Sequence, residues 1–420
     1  MRKFIIITVS LFLYNCNTDD SVSSNPINLT ENIEVYNQQL IDDSYVLAVE
    51  NGGNASYLLN KEGERIYQWN FDTRLGNDLE LLPNGKLLGI FKTQNNDISF
   101  GGAGGIIKIL NSSSALEWQF TYASQNVMAH HDVEFLPNGN VLFIAWERVS
   151  ALTAQAHGVN TSVDIFPETL VEVNPNTNQI VWKWSSFDHI VQDFNLNALN
   201  YGNINENPNL ININYNSSSD DGNIMHANGL DYDEVNDLIY LSVNFYSEVW
   251  VIDHSTTTDE AASNSGGNYN KGGDLIYRFG NPETYNSLGN RLFYNNHFPN
   301  LIEKNVPGKD NMLVFVNKYN NTEQSIVYEI DLPDTFNLMP NNNNEPNIVW
   351  EFTDTDMYSR IISGAVRLEN GNTLICEGDY GFWEITQNGE IAWKYNSQNV
   401  NLWRGYDYKH NDSAINNLNF

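Results

Sequence analysis

From residue 44 onward, apolar and polar positions alternate with period two in short runs punctuated by Gly, Asn and Pro, and no long helical pattern interrupts them. The clearest unit is His130-His131-Asp132-Val133-Glu134-Phe135-Leu136-Pro137-Asn138-Gly139-Asn140-Val141-Leu142-Phe143-Ile144-Ala145-Trp146-Glu147, which reads as two strands joined by a tight Pro-Asn-Gly turn. Copies of the turn stand at Leu82-Pro83-Asn84-Gly85 and Leu368-Glu369-Asn370-Gly371. A second mark, an aromatic after small or β-branched residues, falls at Tyr67, Trp118, Trp182, Tyr277, Trp350 and Trp393. Each mark ends a group of strands.

The third group shows four strands, at 131–136, 140–146, 168–173 and 179–184, and groups at 77–120, 226–279, 297–352 and 363–395 divide in the same way. The first shows only three, at 44–50, 55–60 and 65–70. Repeats of this size predict an all-β fold, a six-bladed β-propeller with four-stranded blades around a central channel. The missing innermost strand of the first blade is expected from Leu402 to Tyr408 or from Ile33 to Leu40. Long polar insertions at 148–167, 185–225 and 254–273 are expected to cover the channel mouth or to be disordered.

The first strand of each blade lines the channel of such a fold, so equivalent positions form a ring. Aligned on the apolar residue near each turn, His131 stands four before Phe135, His226 four before Leu230 and His297 four before Leu301. Asn77 and Ser363 occupy the same level in the second and sixth blades. Three converging imidazoles can ligate a metal, act as nucleophile and acid/base, or satisfy buried backbone groups. Three histidines in one register favour a functional site over structural packing. His130 is expected to point away from the channel as a structural residue, and His189, His254 and His410 fall outside the register. Asp231 to Asp237 has spacing that suits calcium but coincides with a turn, and Gly101 to Gly105 reads as a flexible connection without the lysine of a phosphate loop.

Composition narrows the partners. With 41% hydrophobic, 12% aromatic and 17% charged residues, the 420-residue chain suits many short strands around a large core. Its 21 Lys+Arg against 52 Asp+Glu give a net charge of −31, which argues against nucleic acid and anionic membranes as partners. The basic start Met1-Arg2-Lys3 and the apolar run Phe4 to Leu13 form a leader too short to span a bilayer. Leu13-Tyr14-Asn15-Cys16 resembles a bacterial lipoprotein signal with Cys16 as the lipidated residue. The expected organisation is a signal at 1–16, a flexible tether at 17–31 and a single propeller at 32–420, lipid-anchored in the bacterial cell envelope. After removal of the leader, Cys376 has no second cysteine in the chain besides Cys16 to pair with.

At this point the chain resembles the bacterial aryl-sulfate sulfotransferase family. The matching stretches are His130-His131-Asp132 with Leu136-Pro137-Asn138-Gly139-Asn140, Trp182-Lys183-Trp184 with Asp188-His189-Ile190-Val191-Gln192-Asp193, and His226-Ala227-Asn228-Gly229-Leu230-Asp231-Tyr232. They continue at Ser247 to His254, Tyr277 to Pro282 and Asn370 to Ile375. The resemblance implies transfer of a sulfuryl group from an aryl sulfate to a phenol through a sulfohistidine, in a ping-pong scheme without a cofactor. Carried over by position, His297 is the nucleophile, while His131 and His226 protonate the leaving phenolate and stabilise the sulfuryl oxygens.

The chain departs from better-known members where they carry a channel arginine, since Asn244 stands there; Arg360 is the candidate replacement. No Asp follows His297, and the chain is expected to lack the N-terminal β-domain and disulfide of those members. Asn77, Ser363, Asn244 and Arg360 are therefore the expected substrate-binding residues, and the partners are small aryl sulfates and phenols, with membrane contact only through the lipid anchor. Two other readings of the residues remain: a cell-surface ligand-binding propeller without catalysis, which Asn244 supports, and a metal-dependent hydrolase using the three histidines as ligands. The sequence carries no signal for the oligomeric state.

Overall fold

The alternating runs form the strands expected of them in a computed structural model that describes residues 27–418 apart from 95, 96 and 304. The leader, Cys16 and the first part of the tether lie outside the described residues. Six four-stranded antiparallel units are arranged as a six-bladed β-propeller. Blade 3 runs outward from Val127–Phe135 through Val141–Glu147 and Glu168–Asn174 to Gln179–Ser185. The innermost strands of blades 2, 4, 5 and 6 are Leu75–Leu81, Ala227–Asp233, Asn296–Leu301 and Gly364–Arg367.

Blade 1 takes its innermost strand from Leu402–Lys409, which pairs antiparallel with Ser44–Glu50 and so joins late residues to early ones. The other candidate segment, Ile33–Tyr36, instead adds a fifth strand to the outer edge of blade 6, against Ile391–Asn396. Both segments thus cross between the first blade and the last.

The aromatic mark that reveals the repeat has a physical cause. Each marked side chain sits on the outermost strand and donates a hydrogen bond to the outer turn of the next blade. Tyr67 Oη reaches Ser112 O at 3.0 Å, Trp118 Nε1 reaches Asn178 Oδ1 at 2.7 Å and Trp182 Nε1 reaches Thr256 Oγ1 at 3.2 Å. Tyr277 bonds Asn344 O, Trp350 Nε1 donates to Gln387 O at 3.0 Å, and Trp393 Nε1 returns to Lys61 O in blade 1 at 2.8 Å. An aromatic is needed here because its body fills the gap between blades while its polar tip reaches across. Between the sheets the apolar faces interlock: Leu142, Ile144 and Leu170 of blade 3 share a cluster with Ile239, Leu241 and Trp250 of blade 4.

Because successive strands are antiparallel, the Pro-Asn-Gly turns lie at one end of the channel and the starts of the innermost strands, with their histidines, at the other. The insertions at 148–167 and 185–225 leave strands at the histidine end. They contain the short helix Ala151–Ala156 and the parallel pair Ile190–Val191 with Ile211–Asn212. The insertion at 254–273 packs against the outer strand of blade 3, where Trp184 Nε1 donates to Gly273 O at 2.7 Å. In that insertion His254 is clasped between Asp237 Oδ1 at 2.7 Å and Glu172 Oε2 at 3.1 Å, and these two carboxylates raise its pKa.

Candidate active site

Five innermost strands break their pairing near the histidine end, the one in blade 1 by skipping Trp403. In blade 3, Val133 pairs with Phe143 but His130 pairs with Ile144, so His131 and Asp132 bulge from the ladder. Blade 5 skips Phe298 between His297 and Pro299, blade 4 skips Asn228, and blade 2 skips Gly76, Asn77 and Asp78. The bulges turn side chains that alternation would send into a blade toward the channel. They are held in unfavourable backbone: His131 and His226 have φ of 56° and Phe298 of 52°. Left-handed backbone at residues without a glycine's freedom costs about 1–3 kcal/mol each and persists where the surroundings enforce it.

The bulges bring His131, His226 and His297 to one end of the channel around Trp403. The rings of His131 and His226 are 4.9 Å apart, and Trp403 lies 5.7 Å from His131 and 6.2 Å from His297. Each imidazole is fixed by a partner. Asn317 spends its amide nitrogen on Ser359 O and Ile362 O, both at 2.9 Å, so its Oδ1 must accept from His297 Nδ1 at 2.6 Å. The lone pair of this tautomer is therefore on Nε2, where it accepts a hydrogen bond from the backbone N–H of Ile362 at 3.2 Å. The Asn223 amide nitrogen donates to His226 Nδ1 at 2.8 Å, leaving the proton on Nε2, and Phe245 stacks on this ring.

His131 is tied to His130 through their Nδ1 atoms at 2.7 Å, and His130 Nε2 meets Glu168 Oε2 at 3.0 Å. His130 thus does not turn its back on the site as strict alternation predicts, because the bulge resets the period after it. Gly101 to Gly105 likewise does more than connect strands: it closes over these rings. Gly102 O accepts from His131 N at 3.1 Å, and a Cβ on Gly102 would fall 2.1 Å from the His131 ring.

Burial keeps all these rings neutral near pH 7. It pulls His297 down to about 3 and His226 to about 4, and it holds His130 and His131 well below the usual histidine value. A neutral imidazole with an exposed lone pair is a nucleophile or base, and one with an exposed N–H is a hydrogen-bond donor or acid.

Beneath the rings the channel holds a cation that sequence reasoning passed over. Arg404, next to Trp403, is buried against Asp132 Oδ2 at 2.9 Å and Asp78 Oδ1 at 3.4 Å, with its guanidinium 4.0 Å over the Phe298 ring. Farther down stand Glu80, Glu134 and Asp231. Burial raises Glu80 and Asp231 to about 7, and burial with Asp231 and other carboxylates nearby holds Glu134 well above the usual carboxylate range. Two of the aspartates also stitch blades together: Asp132 Oδ2 accepts from Leu230 N at 2.7 Å and Asp231 Oδ2 from Leu301 N at 2.5 Å. Asp233 accepts from the turn amides of Val235 and Asn236, while Asp237 takes Tyr232 and His254, so the carboxylates of 231–237 face different ways.

A cavity of about 430 Å³ is lined by Asn244, Phe245, Asn295, Lys318, Glu323 and Arg360 among others, and it reaches the histidines only through Phe245, which stacks on His226. Asn244 and Arg360, paired in the sequence only as loss and replacement, thus face one space, joined by Lys318. Asn77 is buried on the innermost strand of blade 2, and Ser363 is buried just before that of blade 6. Asn77 Nδ2 donates to Asn51 Oδ1 at 3.1 Å with its own oxygen unpaired, and Ser363 Oγ accepts from Gly378 N at 3.0 Å. The sequence pattern named the three ring histidines. It missed Asn317, Glu168 and Trp403, whose partners lie on other strands, and Lys318; a Glu beginning a strand was the one available signal.

The family model described as Arylsulfotransferase (ASST) matches residues 15–413. No curated protein sequence matches the chain. Among solved structures, it is similar to Raptor from Chaetomium thermophilum, with 10% identity and a TM-score of 0.44 over 87% of this chain and 24% of that one. It is also similar to the WD40 domain of Toxoplasma gondii coronin, with 10% identity and a TM-score of 0.40 over 86% of this chain and 68% of that one. The chain therefore spans about a quarter of the length of Raptor.

Proposed function

This chain belongs to the arylsulfotransferase family, which carries aryl sulfotransferase activity, and on that premise we propose that it moves a sulfuryl group between phenols through a sulfohistidine on His297. The supporting observation is the fixed tautomer of His297, whose Nδ1–H is committed to Asn317, so that the lone pair is on Nε2 and becomes the nucleophile when sulfur replaces the Ile362 N–H that it accepts from. In the first displacement Nε2 attacks sulfur and the phenolate departs; in the second a different phenol displaces the imidazole. His131 protonates the departing oxygen. His226 Nε2–H stabilises the sulfuryl oxygens, and the Ile362 N–H that approaches Nε2 lies beside the bound group.

Lys318 and Arg360 at the cavity draw the sulfate monoester in against a net charge of −31, and Asn244 takes the place of the family's channel arginine as a neutral donor. Phe245 and Trp403 are the aromatic surfaces on which the aryl group stacks. Asn77 and Ser363 complete the polar ring. The leader and Cys16 make the enzyme a lipoprotein of the cell envelope, and replacing Cys16 with Ser moves it from the membrane to the soluble fraction.

The decisive experiment is intact-protein mass spectrometry after brief exposure to 4-nitrophenyl sulfate. Wild type gains one SO₃, about 80 Da by its formula, and His297→Ala gains none. Wild type that neither gains the adduct nor releases nitrophenol, with several aryl sulfates tried, sinks this reading in favour of a binding propeller.

A further inference from the structure

We propose that Glu168 and His130 form a buried proton relay to His131, so that one imidazole gives a proton to the departing phenolate and later takes one from the incoming phenol. The proposal rests on the sulfohistidine reading above. Its observation is an unbroken line of three side chains: Glu168 Oε2 to His130 Nε2 at 3.0 Å, and His130 Nδ1 to His131 Nδ1 at 2.7 Å. Glu168 and His130 are 0% exposed, and Trp146 covers His130 at 3.5 Å between ring centres. Protons therefore enter and leave this line only at its His131 end.

The far end is built to hold a proton on one oxygen. Glu168 Oε1 accepts from Trp146 Nε1 at 3.1 Å and from Ala227 N at 2.8 Å, which leaves Oε2 as the hydroxyl facing His130. Burial raises this carboxyl to about 8, so it is mostly protonated near pH 7. His226, His297 and Arg404 face His131 from blades 4, 5 and 1 and oppose a second proton on it, whereas Asp132 is the carboxylate that favours charge on His130. A proton is thus better kept on Glu168 than as a cation on either ring.

The balance closes. At rest Glu168 donates to His130 Nε2, His130 Nδ1–H donates to His131 Nδ1, and His131 Nε2–H faces the channel. As His297 Nε2 bonds to sulfur and the S–O bond breaks, His131 Nε2–H passes to the phenolate. His131 Nδ1 takes the proton of His130 Nδ1, and His130 Nε2 takes that of Glu168, which becomes a carboxylate. The sulfohistidine keeps its Nδ1–H, so the single negative charge of the ester has moved to Glu168. The acceptor phenol then gives its proton to His131 Nε2, the shifts reverse, and the sulfuryl group leaves on the new phenol.

Glu168→Gln keeps donors and acceptors in place but has no acidic proton to give, so it separates relay from architecture. Adduct formation is followed with phenyl sulfate and with 4-nitrophenyl sulfate, whose leaving group needs no proton. The variant is expected to lose about 100-fold with phenyl sulfate and only a few-fold with the nitrophenyl ester, with the adduct still on His297. Equal losses on both esters, or none, overturn the relay while leaving the adduct chemistry intact. A wild type without the adduct overturns the sulfohistidine reading itself. Where Glu168→Gln does not fold, the same pair of rates in His130→Asn decides.

Discussion

At the scale of single residues, His297 shows how an amide can choose between two chemically distinct nitrogens. Asn317 cannot flip without giving up Ser359 O and Ile362 O, so its oxygen stays on Nδ1. Asn317→Ala is expected to lower the rate of adduct formation roughly 10- to 100-fold, as for other groups that orient a reacting imidazole. It should also reduce stability by about 1–3 kcal/mol for the carbonyls left unpaired. Rapid-quench mass spectrometry and urea unfolding measure the two effects separately. An unchanged rate in a folded variant removes Asn317 from the mechanism. The histidine register was legible because His131, His226 and His297 keep one offset, four residues, from the apolar Phe135, Leu230 and Leu301. The partners were not: Asn317 lies 20 residues from His297 and Glu168 lies 38 from His130, distances along the chain that no local pattern spans.

At the scale of elements, the strands were readable almost to the residue, since 44–50 and 65–70 in the sequence pattern return as Ser44–Glu50 and Arg65–Asn70. Alternation works where a ladder is regular. It failed at the bulges, where His130 and His131 are joined through their Nδ1 atoms, and it left two candidates for the strand that closes blade 1. Trp403 on that strand packs in the apolar cluster between blades 1 and 2 and also stands among the ring histidines. Trp403→Ala is expected to cost about 3–5 kcal/mol and to weaken binding of aryl esters, whereas Trp118→Ala, on a part-exposed outer strand, should lower stability less and leave turnover alone. Urea midpoints and KM for the two variants test this, and equal effects on KM refute the special place of Trp403.

At the scale of the molecule, the channel carries more acid than the buried Arg404 balances. Glu80 and Asp231 have folded-state values of about 7, above the unfolded values near 4. For a raised carboxyl the contribution is intact while both states are protonated, below about pH 4, and is lost as pH rises through about 7. Stability should therefore fall across that window, and Glu80→Gln should raise the melting temperature at about pH 8 but not at about pH 4. A variant indifferent to pH in this comparison shows that Glu80 is solvated in the channel. The ring as a whole has a kinetic consequence as well. Ser44 and Asp407, bonded across the seam, are 363 residues apart in the chain. During synthesis blades 2 to 5 can assemble from neighbouring segments, but blade 1 stays a three-stranded sheet with an open inner edge until Leu402–Lys409 emerges. The same strand brings Trp403 and Arg404 to the histidines, so no partly made chain has a finished channel: the histidine cluster and the topological lock are completed in one late step.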